Sequence, residues 1–147
     1  MNSNCYIAKK NYANMTFSKT TEYALRTLTL MATEGKALYS SDYLHKQLKI
    51  PKKYLQRLLT DLSKNGLITS IRGKFGGYSF SKNIDSIFLS DIIEAVEGFQ
   101  TTPSCFFGFS ECALEDPCAM HEVWEKSQTD LIKTLSSTKL SELIKKK

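Results

Sequence analysis

Three cysteines and one histidine lie within seventeen residues in the second half of this 147-residue chain. They are Cys105, Cys112, Cys118 and His121, in the arrangement C-x6-C-x5-C-x2-H. Thiolates and imidazole bind zinc and iron–sulfur clusters, so this set indicates soft metal chemistry. A Cys/His pair can also act as nucleophile and base. No third orienting group or oxyanion device accompanies Cys118 and His121, so we do not expect an enzyme.

The spacing leaves the occupant of this site open. Residues 99–115 hold Cys105 and Cys112 and show no helical or strand periodicity, which is uncommon in a small domain unless the segment has a function. A zinc site normally supplies a tight C-x2-C pair, which is absent here, whereas a loop around a larger iron–sulfide core tolerates gaps of six and five residues. An iron–sulfur cluster, zinc and no bound metal all remain compatible with the residues.

A helix after the cysteines should position the end of this set. Asp116 fits an N-cap and Pro117 the first helical position, so the pattern places Cys118 in the first turn. Free N–H groups and the positive end of the helix dipole favour a thiolate there, and His121 shares the same face. An apolar stripe on this helix predicts a dimer or core face: Met120, Val123, Trp124, Leu131 and Leu135.

Basic side chains concentrate in one segment of the chain. The net charge is +5, and residues 45–82 hold nine Lys or Arg against a single acid, Asp61. Residues 100–147 hold six basic and seven acidic side chains. This distribution favours a phosphate-binding surface over a uniformly basic protein.

Two helices precede the most basic part of that segment. Apolar periodicity over residues 16–33, with Ser18 as N-cap and Gly35 as the stop, predicts the first helix. A second, short helix should follow Ser40 and cover residues 42–48.

A third helix should present the basic side chains. Pro51 fits its first position, and Gly66 should end it. A helical wheel gives it a core face of Tyr54, Leu55, Leu58, Leu59 and Leu62, and an opposite face of Lys52, Lys53, Gln56, Arg57, Thr60 and Lys64. Two lysines in the first turn oppose the helix dipole, so DNA phosphate is a good candidate partner for them. A solvated face without a partner is the alternative.

A basic, glycine-rich hairpin follows the third helix. Residues 67–71 and 78–80 are predicted strands, joined by Arg72-Gly73-Lys74-Phe75-Gly76-Gly77. Glycines such as Gly76 and Gly77 allow positive φ and close approach to a DNA strand, while Arg72 and Lys74 can reach the minor groove or phosphates. A nucleotide-binding loop is excluded because these glycines link two strands instead of leading into a helix. An RNA-binding winged helix would lack the aromatic platform that single strands need.

The fold expected from these elements is mainly α with a small β-wing. Residues 15–82 are predicted to form a winged helix-turn-helix that binds DNA, and residues 83–147 a cysteine loop with a long dimerisation helix. At the start of the second range, Ser90 should cap a short helix over residues 91–97 that Gly98 ends. Residues 1–14, including Cys5, are expected to be a disordered extension. No apolar run approaches the roughly 18 residues of a membrane span, so we expect a cytoplasmic protein.

From Met15 to about Leu135, the chain resembles the Rrf2 family of bacterial transcription regulators, which includes the iron–sulfur cluster biogenesis regulator and the nitric-oxide-sensing repressor. The resemblance rests on the cysteine cluster and on residues 21–26, 54–59, 67–73, 76–78 and 91–98. It implies a homodimer that places the third helix in the major groove of a palindromic operator and the wing in the minor groove.

The resemblance also implies roles for individual residues. Base reading falls to Lys52, Lys53 and Gln56, and minor-groove insertion to Arg72. Gln56 suits a bidentate contact to adenine. Some cluster-dependent relatives carry glutamate at this position, so operator choice here need not change with cluster loading in the same way.

For the cysteines, the resemblance implies an iron–sulfur cluster, either 2Fe-2S or 4Fe-4S, that senses iron–sulfur, redox or nitric oxide status. The fourth ligand is His121 or, as an alternative, Glu22 of the partner subunit. A purely structural role for Glu22, pairing with Arg26 one turn along its own helix, is equally open. Some members of the family bind no cluster, so a cluster-free repressor controlled by a metabolite or a partner protein is the alternative function.

Overall fold

The computed structural model describes residues 17–100, 102–109 and 117–144. Within these ranges the chain is mainly helical with a two-stranded antiparallel sheet, as the sequence predicts. The helices are α1 (Lys19–Glu34), α2 (Ser41–Leu48), α3 (Lys52–Lys64), α4 (Leu89–Glu97) and α5 (His121–Ser137). The strands are β1 (Ile68–Ile71) and β2 (Gly77–Phe80), and two short 3-10 turns cover Ile84–Ser86 and Leu140–Leu143. The extension predicted over residues 1–14 lies outside the described residues.

The first two helices begin and end as their local chemistry predicts. Ser18 Oγ accepts a hydrogen bond from the Thr21 amide at 3.2 Å, and Ser40 Oγ accepts one from the Tyr43 amide at 3.1 Å. Each bond satisfies an N–H that has no partner inside the helix. Gly35 ends α1 in the left-handed conformation, with φ of 62°, and its N–H donates to the Met31 carbonyl.

Two details of α3 correct the predictions. Pro51 is the N-cap residue and not the first helical residue, because its ψ of 133° is extended and the helix begins one residue later. The leucines of the predicted core face, Leu55, Leu58, Leu59 and Leu62, are buried. Tyr54, at the edge of that face, is 38% exposed, with its ring edge-on to Tyr23.

The hairpin follows α3 directly, and β1 packs against that helix. Its strands pair from Ile68 opposite Phe80 to Ile71 opposite Gly77. Tyr39, in the connection between α1 and α2, exchanges two backbone hydrogen bonds with Tyr78, at 2.9 and 2.8 Å. The hairpin is therefore fixed both to α3 and to the chain that precedes α2.

The core joins residues that are distant in the sequence. One apolar cluster includes Leu28 of α1, Leu58 of α3 and Ile92 of α4, together with Leu135 from the last turns of α5. Leu140, in the 3-10 turn after α5, is fully buried, and its amide donates to the Ile87 carbonyl at 2.8 Å. The chain after α5 therefore folds back into the core.

The start of α4 corrects the capping prediction. Phe88, and not Ser90, occupies the N-cap position, and α4 begins at Leu89. The Asp91 carboxylate accepts a hydrogen bond from the Phe88 amide at 2.9 Å, so an acid inside the first turn stabilises the start of the helix. Gly98 ends α4 as predicted.

The start of α5 lies further along the chain than predicted. The helix begins at His121, whereas Pro117 and Cys118 precede it, and Asp116 lies outside the described residues. A tight turn separates Cys118 from the helix, because the His121 amide donates to the Cys118 carbonyl at 2.9 Å, a three-residue spacing. Cys118 therefore lies ahead of the first helical turn.

The apolar stripe of α5 is split between core and surface. Leu135 is buried, but Val123 and Leu131 are 61% and 51% exposed. This exposed part of the stripe has no cover from the described parts of the chain. None of the helices in these ranges is long and apolar enough to cross a membrane.

Candidate nucleic-acid interface and cysteine region

Helices α2 and α3 form a helix-turn-helix. Lys49 ends α2 with a positive φ of 54°, and the next residue, Ile50, is fully buried. The Arg26 guanidinium donates to the Leu48 carbonyl at 3.1 Å, which satisfies a carbonyl at the end of α2. The angle between the two helices is thus fixed by packing below the turn and by a hydrogen bond from α1.

The polar face of α3 is available to a ligand. The predicted contact residues on it are all exposed: Lys52, Lys53, Gln56, Arg57 and Lys64. Lys52 forms an ion pair with Asp42 of α2, with 2.6 Å between Nζ and Oδ1. The hydrogen bond from this ammonium is the main cause that lowers the pKa of Asp42. Lys53, Arg57 and Lys64 form no salt bridge with the described residues.

The wing loop between β1 and β2 is closed tightly. Arg72 and Lys74 are exposed on it. Gly73 has a φ of 119°, and its carbonyl accepts a hydrogen bond from the Gly76 amide at 3.0 Å.

Two glycines at the end of this loop are required for space. A Cβ on Gly76 would lie 2.1 Å from the Ile71 carbonyl oxygen, and one on Gly77 would lie 2.7 Å from the Tyr39 carbonyl oxygen. Of the wing glycines, Gly73 is the one that adopts positive φ. The close contacts of Gly76 and Gly77 are with the protein's own backbone.

The cysteine region, defined as residues 102–109 and 117–124, contains three of the four predicted ligands. Cys105 and Cys118 are half-buried, and the His121 side chain is 40% exposed, with Nε2 3.7 Å from the Glu125 carboxylate. Cys112 lies outside the described residues. Among the residues that the structure describes, no three His, Cys, Asp or Glu side chains are grouped closely enough to hold a metal ion. The structure therefore does not bring Cys105, Cys118 and His121 together.

Contacts with α5 hold the loop that carries Cys105. The Ser104 amide donates to Gln128 Oε1 at 2.8 Å, and Gln128 Nε2 donates to Ser104 Oγ at 3.3 Å. The Phe106 ring lies edge-on to the Trp124 indole, with 5.3 Å between centroids. Cys105 is therefore flanked on both sides by residues that are anchored to α5.

One buried donor in this region has no acceptor among the described residues. The Trp124 indole Nε1 is buried, and no atom in the described ranges accepts its hydrogen. A buried N–H without an acceptor costs about 1–3 kcal/mol, so an anionic acceptor such as sulfide or thiolate would relieve that cost. Cysteine and histidine are residue types that bind iron–sulfur clusters, so the residues of this region fit such a group. The described ligands, Cys105, Cys118 and His121, are nevertheless not close together.

Glu22, the alternative fourth ligand, is engaged within its own helix. Its carboxylate lies 2.6 Å from Lys19 Nζ and 3.9 Å from Arg26 Nη1. The hydrogen bond from Lys19 is the main cause that lowers the pKa of Glu22. The pairing with Arg26 expected from the sequence is present, and the Lys19 contact is shorter.

A helix-turn-helix followed by a hairpin defines a winged-helix DNA-binding protein. A family model, described as an iron-dependent transcriptional regulator, matches residues 17–146. The chain belongs to the Rrf2 family, and it is a DNA-binding transcription regulator and not an enzyme.

Relatives and solved structures agree with this assignment. A putative HTH-type transcriptional regulator of Aquifex aeolicus is 31% identical over 132 residues, covering 88% of this chain and 92% of that protein. The HTH-type transcriptional regulator IscR of Xenorhabdus nematophila is 35% identical over 92 residues, covering 63% of this chain and 56% of that protein. The structure of CymR, the global cysteine regulator of B. subtilis, superposes with a TM-score of 0.74 at 28% identity, covering 88% of this chain and 95% of that one.

Proposed function

We propose that this protein is a homodimeric regulator whose binding to a palindromic DNA operator responds to an iron–sulfur cluster. Cys105, Cys112 and Cys118 would hold the cluster, with His121 or Glu22 of the partner subunit as the fourth ligand. The observation that carries the proposal is the anchoring of the Cys105 loop to α5 through Gln128 and Trp124. The cluster would be of the 2Fe-2S or the 4Fe-4S type.

Exposure and charge support the DNA contacts. Lys52, Lys53 and Gln56 lie on the first two turns of α3, in reach of base edges once this helix enters a major groove. Arg57 and Lys64, further along α3, and Lys74 in the wing suit phosphates, while Arg72 suits the minor groove. Gly76 and Gly77 have no room for a side chain, so they would keep the wing loop tightly closed where it meets the DNA.

The exposed part of the α5 stripe supports the homodimer. Val123 and Leu131 would become buried against the same helix of a second subunit, which removes apolar area from water. Since a twofold dimer presents two copies of α3, the operator is expected to contain two half-sites related by the same symmetry.

A continuous set of contacts links the cysteine region to α3. Helix α5 packs on α4, and the Asn65 side chain at the end of α3 donates to the Ala95 carbonyl of α4 at 3.1 Å. A bound cluster would supply negative charge and thiolate bonds that draw the Cys105 and Cys118 segments together. Any resulting shift of α5 would change the spacing of the two α3 helices and thus the affinity for DNA.

Anaerobic purification tests the cluster directly. We expect visible absorption with matching iron and acid-labile sulfide, all lost in Cys112→Ser. Trp124 is the chain's one tryptophan, so cluster loading should also quench the protein's tryptophan fluorescence. His121→Ala and Glu22→Ala, measured side by side, identify the fourth ligand by which spectrum changes. If neither spectrum changes, both fourth-ligand assignments are wrong.

A DNA-binding assay tests the sensing. At fixed salt, cluster-loaded and cluster-free protein should bind the operator with different affinities. Equal affinities would refute sensing while leaving the cluster and the DNA contacts intact.

A cluster-free regulator controlled by a metabolite or partner protein is the second candidate. It is favoured by the similarity to CymR, which is described as a global cysteine regulator. A colourless anaerobic preparation without iron or sulfide, with full operator affinity, would support it and exclude the first candidate.

A further inference from the structure

The tip of the wing carries an aromatic side chain that the basic residues around it do not explain. Phe75 is 85% exposed, more than any other large apolar side chain in the described parts of the chain. It stands between Lys74 and Gly76, and Lys74 Nζ lies 5.7 Å from the ring centroid. Contact with phosphates requires charge and hydrogen-bond donors, so it gives no reason for a phenyl ring at this position.

The loop holds this ring away from the protein. The Gly76 amide binds the Gly73 carbonyl, and the approach of Gly76 to the Ile71 carbonyl leaves no room for a side chain. Below the loop, Tyr39 and Tyr78 fix the hairpin by two backbone hydrogen bonds. No other aromatic ring of the described residues packs against Phe75. The ring is therefore presented on a short, closed loop with most of its surface open to solvent.

An apolar ring flanked by cations matches one mode of minor-groove binding. Architectural DNA-binding proteins insert apolar side chains between base steps from the minor groove, while nearby basic residues contact the backbone. Insertion unstacks the step and bends the duplex, and it is easiest at flexible pyrimidine–purine steps. Phe75, Arg72 and Lys74 supply these components within four consecutive residues of the wing loop.

We infer that Phe75 is a wedge that inserts into the minor groove of the operator, unstacks one base step and bends the DNA. The inference rests on the proposed placement of the wing at the minor groove. It adds a source of specificity that needs no hydrogen bond to a base, because the protein would prefer operators with an easily deformed step under each wing.

The test uses the full chain and an operator selected by the wild-type protein from a pool of random duplexes. 2-Aminopurine placed at the step under the wing reports unstacking through its fluorescence, and end-labelled duplexes report bending by energy transfer. We expect wild-type protein to raise the fluorescence and shorten the end-to-end distance. Phe75→Ala should abolish both signals and weaken binding roughly tenfold, whereas Phe75→Leu, which keeps an apolar wedge, should retain part of each.

Two matched variants separate the wedge from charge and from general surface change. Lys74→Ala should lower affinity and reduce the slope of log affinity against log salt by about one, with unstacking and bending kept. Phe17→Ala removes another exposed phenylalanine, 45% exposed ahead of α1, and should leave both DNA signals unchanged.

The outcomes distinguish this inference from the proposed function beneath it. Wild-type unstacking and bending in Phe75→Ala, with weakened binding in Arg72→Ala, would overturn the wedge and keep the wing in the groove. Full affinity in Phe75→Ala, Arg72→Ala and Lys74→Ala together would remove the wing from the DNA interface and overturn both.

Discussion

The helical core within residues 17–98 and the cysteine region bury their apolar side chains to different degrees. In the first, leucines of three helices meet in one core, and Leu28 and Leu55 are fully buried. In the second, Phe106, Phe107 and Val123 are 44%, 60% and 61% exposed. The described residues therefore complete the helical core, whereas in the cysteine region they leave apolar surface that the proposed second subunit would cover.

The largest expected effect comes from truncating a buried residue of the helical core, compared with an exposed residue of the cysteine region. Leu58→Ala should lower the free energy of unfolding by about 2–5 kcal/mol, because Leu58 is only 1% exposed and its truncation leaves a cavity in the core. Val123→Ala should change it by less than about 0.5 kcal/mol in the single chain, since this residue is largely in solvent. Urea unfolding at several protein concentrations measures both.

The concentration series adds a control for assembly. The Leu58→Ala effect should be independent of concentration, while Val123→Ala should act mainly by weakening dimerisation, as sedimentation would detect. Equal losses at all concentrations would mean that the two parts are packed alike.

A smaller effect is expected where the wing meets the chain before α2. Gly77→Ala places a Cβ 2.7 Å from the Tyr39 carbonyl oxygen, so the backbone must move, at a cost of about 1–3 kcal/mol. Thermal unfolding should show the loss, and operator affinity should fall because the wing is displaced. Ser79→Ala, in the same strand, adds no atoms and serves as the control. An unchanged melting temperature for Gly77→Ala would show that this contact is not tight.

In the cysteine region, the corresponding test removes the hydrogen bonds that hold the Cys105 loop to α5. Gln128→Ala removes the bonds to Ser104, each worth about 0.5–1.5 kcal/mol. We expect faster hydrogen exchange in residues 102–109 without a change in global unfolding, because the loop adds little to the core. Ser127→Ala, whose hydroxyl binds within α5, is the matched control. A global loss of stability would mean that the loop and the core unfold together.

The smallest effect concerns one exposed polar contact in each part, Lys52–Asp42 and His121–Glu125. Asp42→Asn should raise DNA affinity about two- to threefold, because it frees Lys52 for a phosphate. Glu125→Gln, which removes the partner of His121, should leave DNA affinity unchanged. Competition binding at fixed salt measures both. Lower affinity in Asp42→Asn would show that the pair orients Lys52 for DNA instead of competing for it.

The same pair predicts a pH dependence. The pKa of Asp42 is lower in the folded protein than its ordinary value near 3.9, so the pair stabilises the fold above that pH. The contribution disappears as the pH falls through the lowered pKa. Asp42→Asn should therefore flatten the acid limb of the stability curve, as unfolding at a series of pH values would show.

Local chemistry made much of the fold predictable. The helix caps Ser18, Ser40 and Gly35 lie at the predicted positions, because a cap depends only on the residues of its own turn. The Pro117 rule failed because a tight turn that ends at His121 competes with the helix for the same residues. Tyr54 was placed in the core because a helical wheel cannot tell how wide the apolar face is in the folded protein.

The sequence alone does not predict the long-range contacts that hold the candidate sites in place. Gln128 meets Ser104 across 24 residues and Arg26 meets Leu48 across 22, and no local pattern marks either pair. The sequence shows Phe75 as an aromatic residue in a basic loop. Its exposure, on which the proposed wedge role rests, depends on how the hairpin closes. The sequence places Trp124 on an apolar stripe. It gives no sign that the indole N–H is buried without an acceptor among the described residues.

The burial of Leu140 sets an order for the folding of the nascent chain. This side chain completes the core beneath α1, yet it is translated after the whole cysteine region. A ribosome that has made the helix-turn-helix and the wing has therefore not yet made all of the core on which they rest. In the living cell, the last residue of this core is therefore synthesised only after all of the cysteines, and the part proposed to sense the cluster is already present when the core is completed.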